Sequence, residues 1–246
     1  MKKIHYKTVF ISDIHLWNPK NQSDKLIKFL NSITFKNLII IWDFIDYRQL
    51  RRFWKRTEKE AKTLNYINDL AKNWVNVTYI QWNHDRKLKC SKEIKIENMS
   101  VIREMYYTTW KWKTYYVTHW DCLDWANKEW VKIWELWTII FWWLFRIEQI
   151  WNKDIVKNPY SSISAKFENF ICKIRMSEDK IKNKIEKFSK SLNCDWFILW
   201  HFHMATHYET NWKDYFNTWD RTKNCSAVIE DLKWNLKSIK YKDSNL

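Results

Sequence analysis

The chain has 246 residues and not one glycine. Ordinary usage near 7% would supply roughly 17 in this length. Tight hairpins, helix ends and close approaches of backbone to a ligand all depend on a residue without a Cβ. In place of glycine stand 20 tryptophans, and their positions are informative. Asn211-Trp212 lies between two strand-like runs, 206–210 and 215–218, where a two-residue hairpin calls for Asn-Gly because both turn residues need positive φ. Trp234 precedes Asn235, Trp112 sits between lysines, and Trp74 follows a helix-like run and leads into the apolar run 75–80. These are turn and helix-stop positions, where lack of a Cβ is the useful property. The sequence therefore predicts that most or all of the tryptophans stand where the natural protein has glycine. A UGA codon read as glycine by the source and as tryptophan here would produce that pattern, and the abundance of Lys, Asn and Ile fits an AT-rich gene. The competing reading is a chain that is truly rich in tryptophan.

A 46% hydrophobic content is ample for a packed interior, so disorder and a small disulfide scaffold are excluded. Lys and Arg number 43 against 28 acids, a net charge of +15, which favours anionic partners: phosphorylated substrates, an acidic membrane surface or nucleic acid. Five cysteines, at 90, 122, 172, 194 and 225, are scattered and form no CxxC pair. They point to a reducing compartment, the cytoplasm, and to neither a disulfide framework nor a zinc clamp. Residues 1–10 have no long apolar core, and the longest apolar stretch, 137–145, is well below the roughly 18 residues of a spanning helix. No membrane span is expected.

Short β-branched runs at 7–11, 38–41, 75–80, 115–118 and 197–199 read as buried strands, and the longer amphipathic runs 23–33, 55–72 and 177–192 read as helices. Ser23 and Ser177 are candidate helix caps. Three further short strands, 215–218, 227–230 and 236–241, follow His203. The pattern is α/β with a β-rich tail and no internal repeat. Pro19 and Pro159 mark loops rather than a domain linker.

Polar residues able to hold a metal follow the ends of five strands: Asp13 and His15, Asp43, Asn83 and His84, His119, and His201 and His203. In α/β sheets ligands bind beyond the carboxyl ends of the strands. In extended backbone residues i and i+2 point the same way, so Asp13 with His15, and His201 with His203, can each grip one ion. A lone His or Asp at a strand end is more often a cap or a solvated surface group. Here five of the seven histidines occupy such ends, while His5 and His207 have no partner pattern and read as surface residues. Carboxylate, amide and imidazole donors without thiolate suit Mn²⁺, Fe or Zn²⁺.

With Trp read as Gly, the segments SDIHLW, WDFID, WNHD, THWD and WHFH become D-x-H, G-D, G-N-H-D, H-G-D and G-H-x-H. In this order they resemble the five motifs of the calcineurin-like metallophosphoesterases, over about residues 7–239. The tail YFNTWDRTKNCSAVIED and the long insertion before the last His pair are similar to the branch related to UDP-2,3-diacylglucosamine pyrophosphatases. The resemblance implies a metallophosphoesterase-type β-sandwich flanked by helices, one domain over 1–246 with an inserted helical lid at 125–176. Two departures stand out. Trp42, Trp82, Trp120 and Trp200 replace glycines that let the backbone approach the metals, and Asn83-His84-Asp85 stands where the lipid-precursor pyrophosphatases usually have Asn-Arg-Asp.

The resemblance further implies two divalent ions, Mn²⁺ first and Fe or Zn²⁺ as alternatives. Asp13, His15, Asp43 and His203 would hold one, and Asp43, Asn83, His119 and His201 the other, with Asp43 bridging. Catalytic support would come from His84 at the phosphate, with Asp85 and Asp121 orienting neighbouring histidines. Arg48, Arg51, Arg52, Lys55 and Arg56 recur on one helical face. Arg48 and Arg51 are the candidate substrate contacts, although such a face is more often simply solvated. Between His119 and His201 lie 81 residues, including the apolar run 138–145, whose Ile139, Ile140, Phe141, Leu144 and Phe145 would line an acyl pocket, touch a bilayer or pack on the core.

The expected function is hydrolysis of a phosphoanhydride or phosphodiester, with a nucleotide-linked glycolipid as the favoured substrate, in the cytoplasm or peripherally on the inner face of the membrane. The rivals are a nuclease, a general phosphomonoesterase, and a non-catalytic protein binding anionic lipid or nucleic acid.

Overall fold

The computed structural model describes residues 3–12, 14–16, 22–41, 44, 58–80, 99–109, 111–118, 196–199, 207–210, 213–217 and 225–240, with isolated helical positions between 140 and 192. The chain divides into two compact units, Met1–Trp120 with Asn193–Leu246, and Asp121–Leu192.

In the first unit the order is β1 (Ile4–His5), β2 (Thr8–Ser12), α1 (Ser23–Ser32), β3 (Ile33–Thr34), β4 (Asn37–Ile41), α2 (Glu58–Lys72), β5 (Asn76–Ile80), β6 (Met99–Ile102), β7 (Met105–Thr108), β8 (Thr114–Val117), β9 (Trp196–Leu199), β10 (His207–Thr210), β11 (Lys213–Asn217), β12 (Ser226–Glu230) and β13 (Leu236–Lys240). Six strands form one sheet in the order β13-β12-β2-β4-β5-β6, and five form a second in the order β10-β11-β9-β8-β7. The short pair β1-β3 is parallel.

The period of two in the strand sequences builds the layers. Val9, Ile11, Leu38, Ile40, Val77 and Tyr79 turn to one face of the six-stranded sheet and pack with Leu26, Phe29 and Leu30 of α1 and Leu64 and Ile67 of α2. The alternate residues Phe10, Ile39, Ile41, Ile80 and Val228 turn to the other face and pack with Tyr115, Val117, Ile198 and Phe216 of the five-stranded sheet. The result is a mixed α/β architecture in which, among the described residues, two helices cover one face of a two-sheet sandwich. On the far face of the second sheet Tyr116, Phe197 and Tyr215 are also buried, so its central strands carry apolar residues on both faces.

Within the described residues α1 and α2 form where the spacing predicts, with one correction. Ser23 is the first helical residue of α1 and is buried, and Gln22 takes the cap position without a side-chain cap bond. The helices are linked by Tyr66 Oη donating to Asn31 Oδ1 at 2.9 Å and by Lys59 with Asp24 at 3.2 Å. Burial pushes the Tyr66 phenol up to about 12.

Within Asp121–Leu192, Ile140, Trp143, Ile147, Ile150 and Trp151 are helical, as are Asn183, Glu186, Lys187, Ser189, Lys190 and Leu192. Ile150 and Trp151 are exposed, and Lys190 pairs with Glu186 one turn away at 3.4 Å. Ile139, Phe141, Leu144, Phe145 and Ser177 lie outside the described residues. Among the described residues no helix is long and apolar enough to cross a membrane.

Candidate functional site

Three of the five strands that lead to candidate ligands are adjacent, parallel and in register. Ser12 ending β2 pairs with Ile41 ending β4, which pairs with Ile80 ending β5. In the second sheet β8 and β9 are parallel, with Val117 opposite Ile198, and Thr118 N donates to Ile198 O at 3.3 Å.

The two sets of strand ends lie at the same end of the sandwich. The β7–β8 hairpin sits at the amino end of β8. The β12–β13 hairpin sits at the amino end of β2, because β12 runs antiparallel to β2 with Glu230 opposite Thr8. Lys111 Nζ of the first hairpin donates to Asn235 Oδ1 of the second at 2.6 Å. Thr8 Oγ1 bonds Tyr107 Oη at 2.6 Å, and Tyr107 Oη donates to the buried Glu230 carboxylate. Burial, and then the bond to Glu230, push the Tyr107 phenol upward. With the amino ends of β2 and β8 pinned together, the carboxyl ends of β2, β4, β5, β8 and β9 share the opposite end.

The connections leaving those ends are also tied. Leu16 N donates to Phe44 O at 2.9 Å, which joins the chain after β2 to the chain after β4. Ile14, Leu16 and Phe44 are buried to 1% exposure or less, and Phe44 meets Tyr79 of β5 edge-to-face with 6.1 Å between ring centroids. These apolar residues alternate with or directly follow Asp13, His15 and Asp43, and that adjacency was the sequence signal for them.

His15 is the one candidate ligand within the described residues. It is half-buried, its Nδ1 lies in the interior, and its φ is 45°. The backbone at His15 has therefore left the extended conformation, so the i, i+2 alternation does not set its direction. Histidine is among the residues enriched at positive φ. Asp13, Asp43, Asn83, His84, Asp85, His119, Asp121, His201 and His203 lie outside the described residues, as do Arg48, Arg51, Arg52, Lys55 and Arg56. Among the described residues no group of three or more His, Cys, Asp or Glu is placed to hold a metal ion. A depression bordered by Trp74, Val75, Asn76 and Ser100 lies by the amino end of β5, away from these strand ends.

No family model matches the chain, and no curated protein matches it. Among solved structures, the chain is similar to an archaeal phosphodiesterase at 14% identity, with 95% of this chain and 98% of that one covered and a TM-score of 0.46. It is also similar to a protein of Thermus thermophilus at 9% identity, with coverages of 96% and 99% and a TM-score of 0.46. A Vps29 of Entamoeba histolytica aligns at 9% identity, 96% and 99% coverage and a TM-score of 0.41.

Proposed function

We propose that the chain is a dinuclear metal-dependent phosphoesterase that hydrolyses a phosphoanhydride or phosphodiester bond. The observation that supports this most is the common end shared by the carboxyl termini of β2, β4, β5, β8 and β9. Each is followed within three residues by Asp13, Asp43, Asn83, His119 or His201. A random scatter of seven donors over 246 residues has no reason to select those ends.

The donor set fits a pair of borderline-hard divalent ions, Mn²⁺ first, with Fe or Zn²⁺ as alternatives. Asp13, His15, Asp43 and His203 would hold one and Asp43, Asn83, His119 and His201 the other. Bound ions supply Lewis acidity toward a phosphoryl group and lower the pKa of water. His84 would donate a hydrogen bond to the phosphoryl oxygen or a proton to the leaving group, and Asp85 and Asp121 would fix the tautomers of the neighbouring imidazoles. Arg48 and Arg51 would bind the anionic remainder of the substrate.

A nucleotide-linked glycolipid such as UDP-2,3-diacylglucosamine is the substrate class this reading favours, on the insertion and on the tail motif. It carries with it a cytoplasmic location and peripheral contact with an anionic membrane. The net charge of +15 supports a second reading, a nuclease.

The test is a panel of bis-p-nitrophenyl phosphate, nucleotide-linked lipid, single-stranded nucleic acid and phosphomonoester with Mn²⁺, on protein carrying glycine at the 20 tryptophan positions. Hydrolysis that Asp43→Asn abolishes supports the proposal. Protein that binds no Mn²⁺ and cleaves none of the panel overturns it in favour of a non-catalytic binding protein.

A further inference from the structure

Three tryptophans adopt left-handed backbone: Trp74 at φ 68°, Trp112 at φ 61° and Trp234 at φ 67°. Positive φ is uncommon outside glycine and is a real outlier for a bulky side chain. Each of the three lies in a motif that calls for glycine on independent grounds.

Trp74 ends α2. Val75 N donates to Leu70 O at 3.2 Å across six residues, the bond that closes a Schellman motif. That bond places Trp74 at C′, the position taken by glycine in most such helix ends. Trp112 and Trp234 occupy the same place in two separate hairpins. In the first, Trp112 N donates to Thr109 O at 3.0 Å and Thr109 N to Lys113 O at 2.9 Å. In the second, Trp234 N donates to Asp231 O at 3.0 Å and Asp231 N to Asn235 O at 3.0 Å. Both bond patterns, with a left-handed residue at the fourth position, match the hairpin in which a type I turn leads into a G1 bulge, where glycine is the usual occupant. Two unrelated hairpins and one helix end thus make the same demand, and tryptophan answers it each time.

Two of the three indoles contribute little in return. Trp74 is 96% exposed and Trp112 87% exposed. Thr210 of β10 pairs with Lys213 of β11, and the sequence between them is Asn211-Trp212. The contrast is Trp196, which sits within β9, has no positive φ and packs near Tyr115 at 6.3 Å.

We propose that glycine is the native residue at positions 74, 112 and 234, and that the chain's tryptophans generally stand for glycine through a codon the source reads as glycine. The absence of any glycine in 246 residues extends the inference from these three to the whole set of 20. Trp42, Trp82, Trp120 and Trp200, each beside a candidate ligand, fall in that set. Their relevance to catalysis rests on the proposed function, whereas the left-handed backbone at 74, 112 and 234 is independent of it.

The test has two arms, neither of which uses activity. Peptide mass spectrometry of the protein from its native source should give glycine at 74, 112 and 234, and tryptophan there overturns the proposal. In recombinant protein, Trp74→Gly and Trp112→Gly should each raise Tm by about 2–4 °C. Trp74→Ala and Trp112→Ala should raise it less, since alanine keeps a Cβ in left-handed backbone. Equal gains from Ala and Gly would mean that only an exposed indole was being removed, and would also overturn the proposal. Should the chain with 20 tryptophans fail to fold, the comparison is made from glycine-bearing protein, with tryptophan or alanine returned at one position. The losses should then run in the same order.

Discussion

The Leu16 amide donates to the Phe44 carbonyl at 2.9 Å, and this one bond couples the chain that leaves β2 through Asp13 and His15 to the chain that leaves β4 through Asp43. Phe44 is fully buried against Tyr79, so the coupling is anchored on the third parallel strand as well. Phe44→Ala should cost about 3–5 kcal/mol of stability, read as a fall in the urea midpoint. Phe44→Leu should cost less. Under the proposed function Phe44→Ala also weakens Mn²⁺ binding, and calorimetry on the folded variant should show that loss.

Much of this frame was legible in the sequence. The runs around Phe10, Ile39, Tyr79, Tyr116 and Ile198 are apolar on both faces, as strands covered on both sides must be, and they are strands to within a residue or two at their ends. The strands β1, β3, β6 and β7 have no counterpart in the sequence reading. β1 and β3 have only two residues each, and β6 at the sheet edge has exposed Ser100 and Val101 and no apolar alternation. The site was legible as a list of donors at strand ends but not as geometry. Which strand ends meet depends on contacts between residues far apart in sequence, such as Lys111 with Asn235 and Thr8 with Tyr107, and no local pattern encodes them. His15 shows the limit in miniature, because its positive φ breaks the alternation expected from the sequence.

The Tyr107 hydroxyl joins the two sheets, accepting from Thr8 Oγ1 and donating to Glu230, whose carboxylate is fully buried. Tyr107→Phe removes a donor from that carboxylate and should destabilise by about 1–3 kcal/mol, the cost of a buried polar group left unsatisfied. Denaturant unfolding of the variant checks it. A change near zero would mean that water or Lys7, 4.0 Å from the other carboxylate oxygen, takes over the role.

Asp231 sets the second hairpin. Burial alone would raise its carboxyl, but Lys237 at 2.7 Å and the backbone amides of Asn235 and Lys233 outweigh that and hold it at about 2, against an ordinary 3.8. A carboxylate depressed in the folded state stabilises above its unfolded value and loses that contribution as pH falls through the folded one. Stability should therefore decline as pH falls from 3.8 to about 2, and Asp231→Asn should flatten that part of the acid profile. Thermal melts across the range provide the measurement.

Trp234 differs from Trp74 and Trp112 in one respect: Lys7 Nζ lies 3.9 Å from the centre of its ring. A cation–π contact of this kind is worth about 0.5–1 kcal/mol at an exposed site. Trp234→Gly should therefore gain less stability than Trp112→Gly. A double-mutant cycle with Lys7→Met isolates the difference, which should disappear in the Lys7→Met background.

The proposed function requires donors from five strand ends to gather two cations at one end of the sandwich. The direct measurement is Mn²⁺ titration of protein carrying glycine at the 20 tryptophan positions, followed by calorimetry and by electron paramagnetic resonance. Two Mn²⁺ per chain with a spin-coupled spectrum, and loss of the coupling in Asp43→Asn, is the predicted result. Binding of no Mn²⁺, or of ions whose number and spectrum are unchanged by Asp43→Asn, would contradict it.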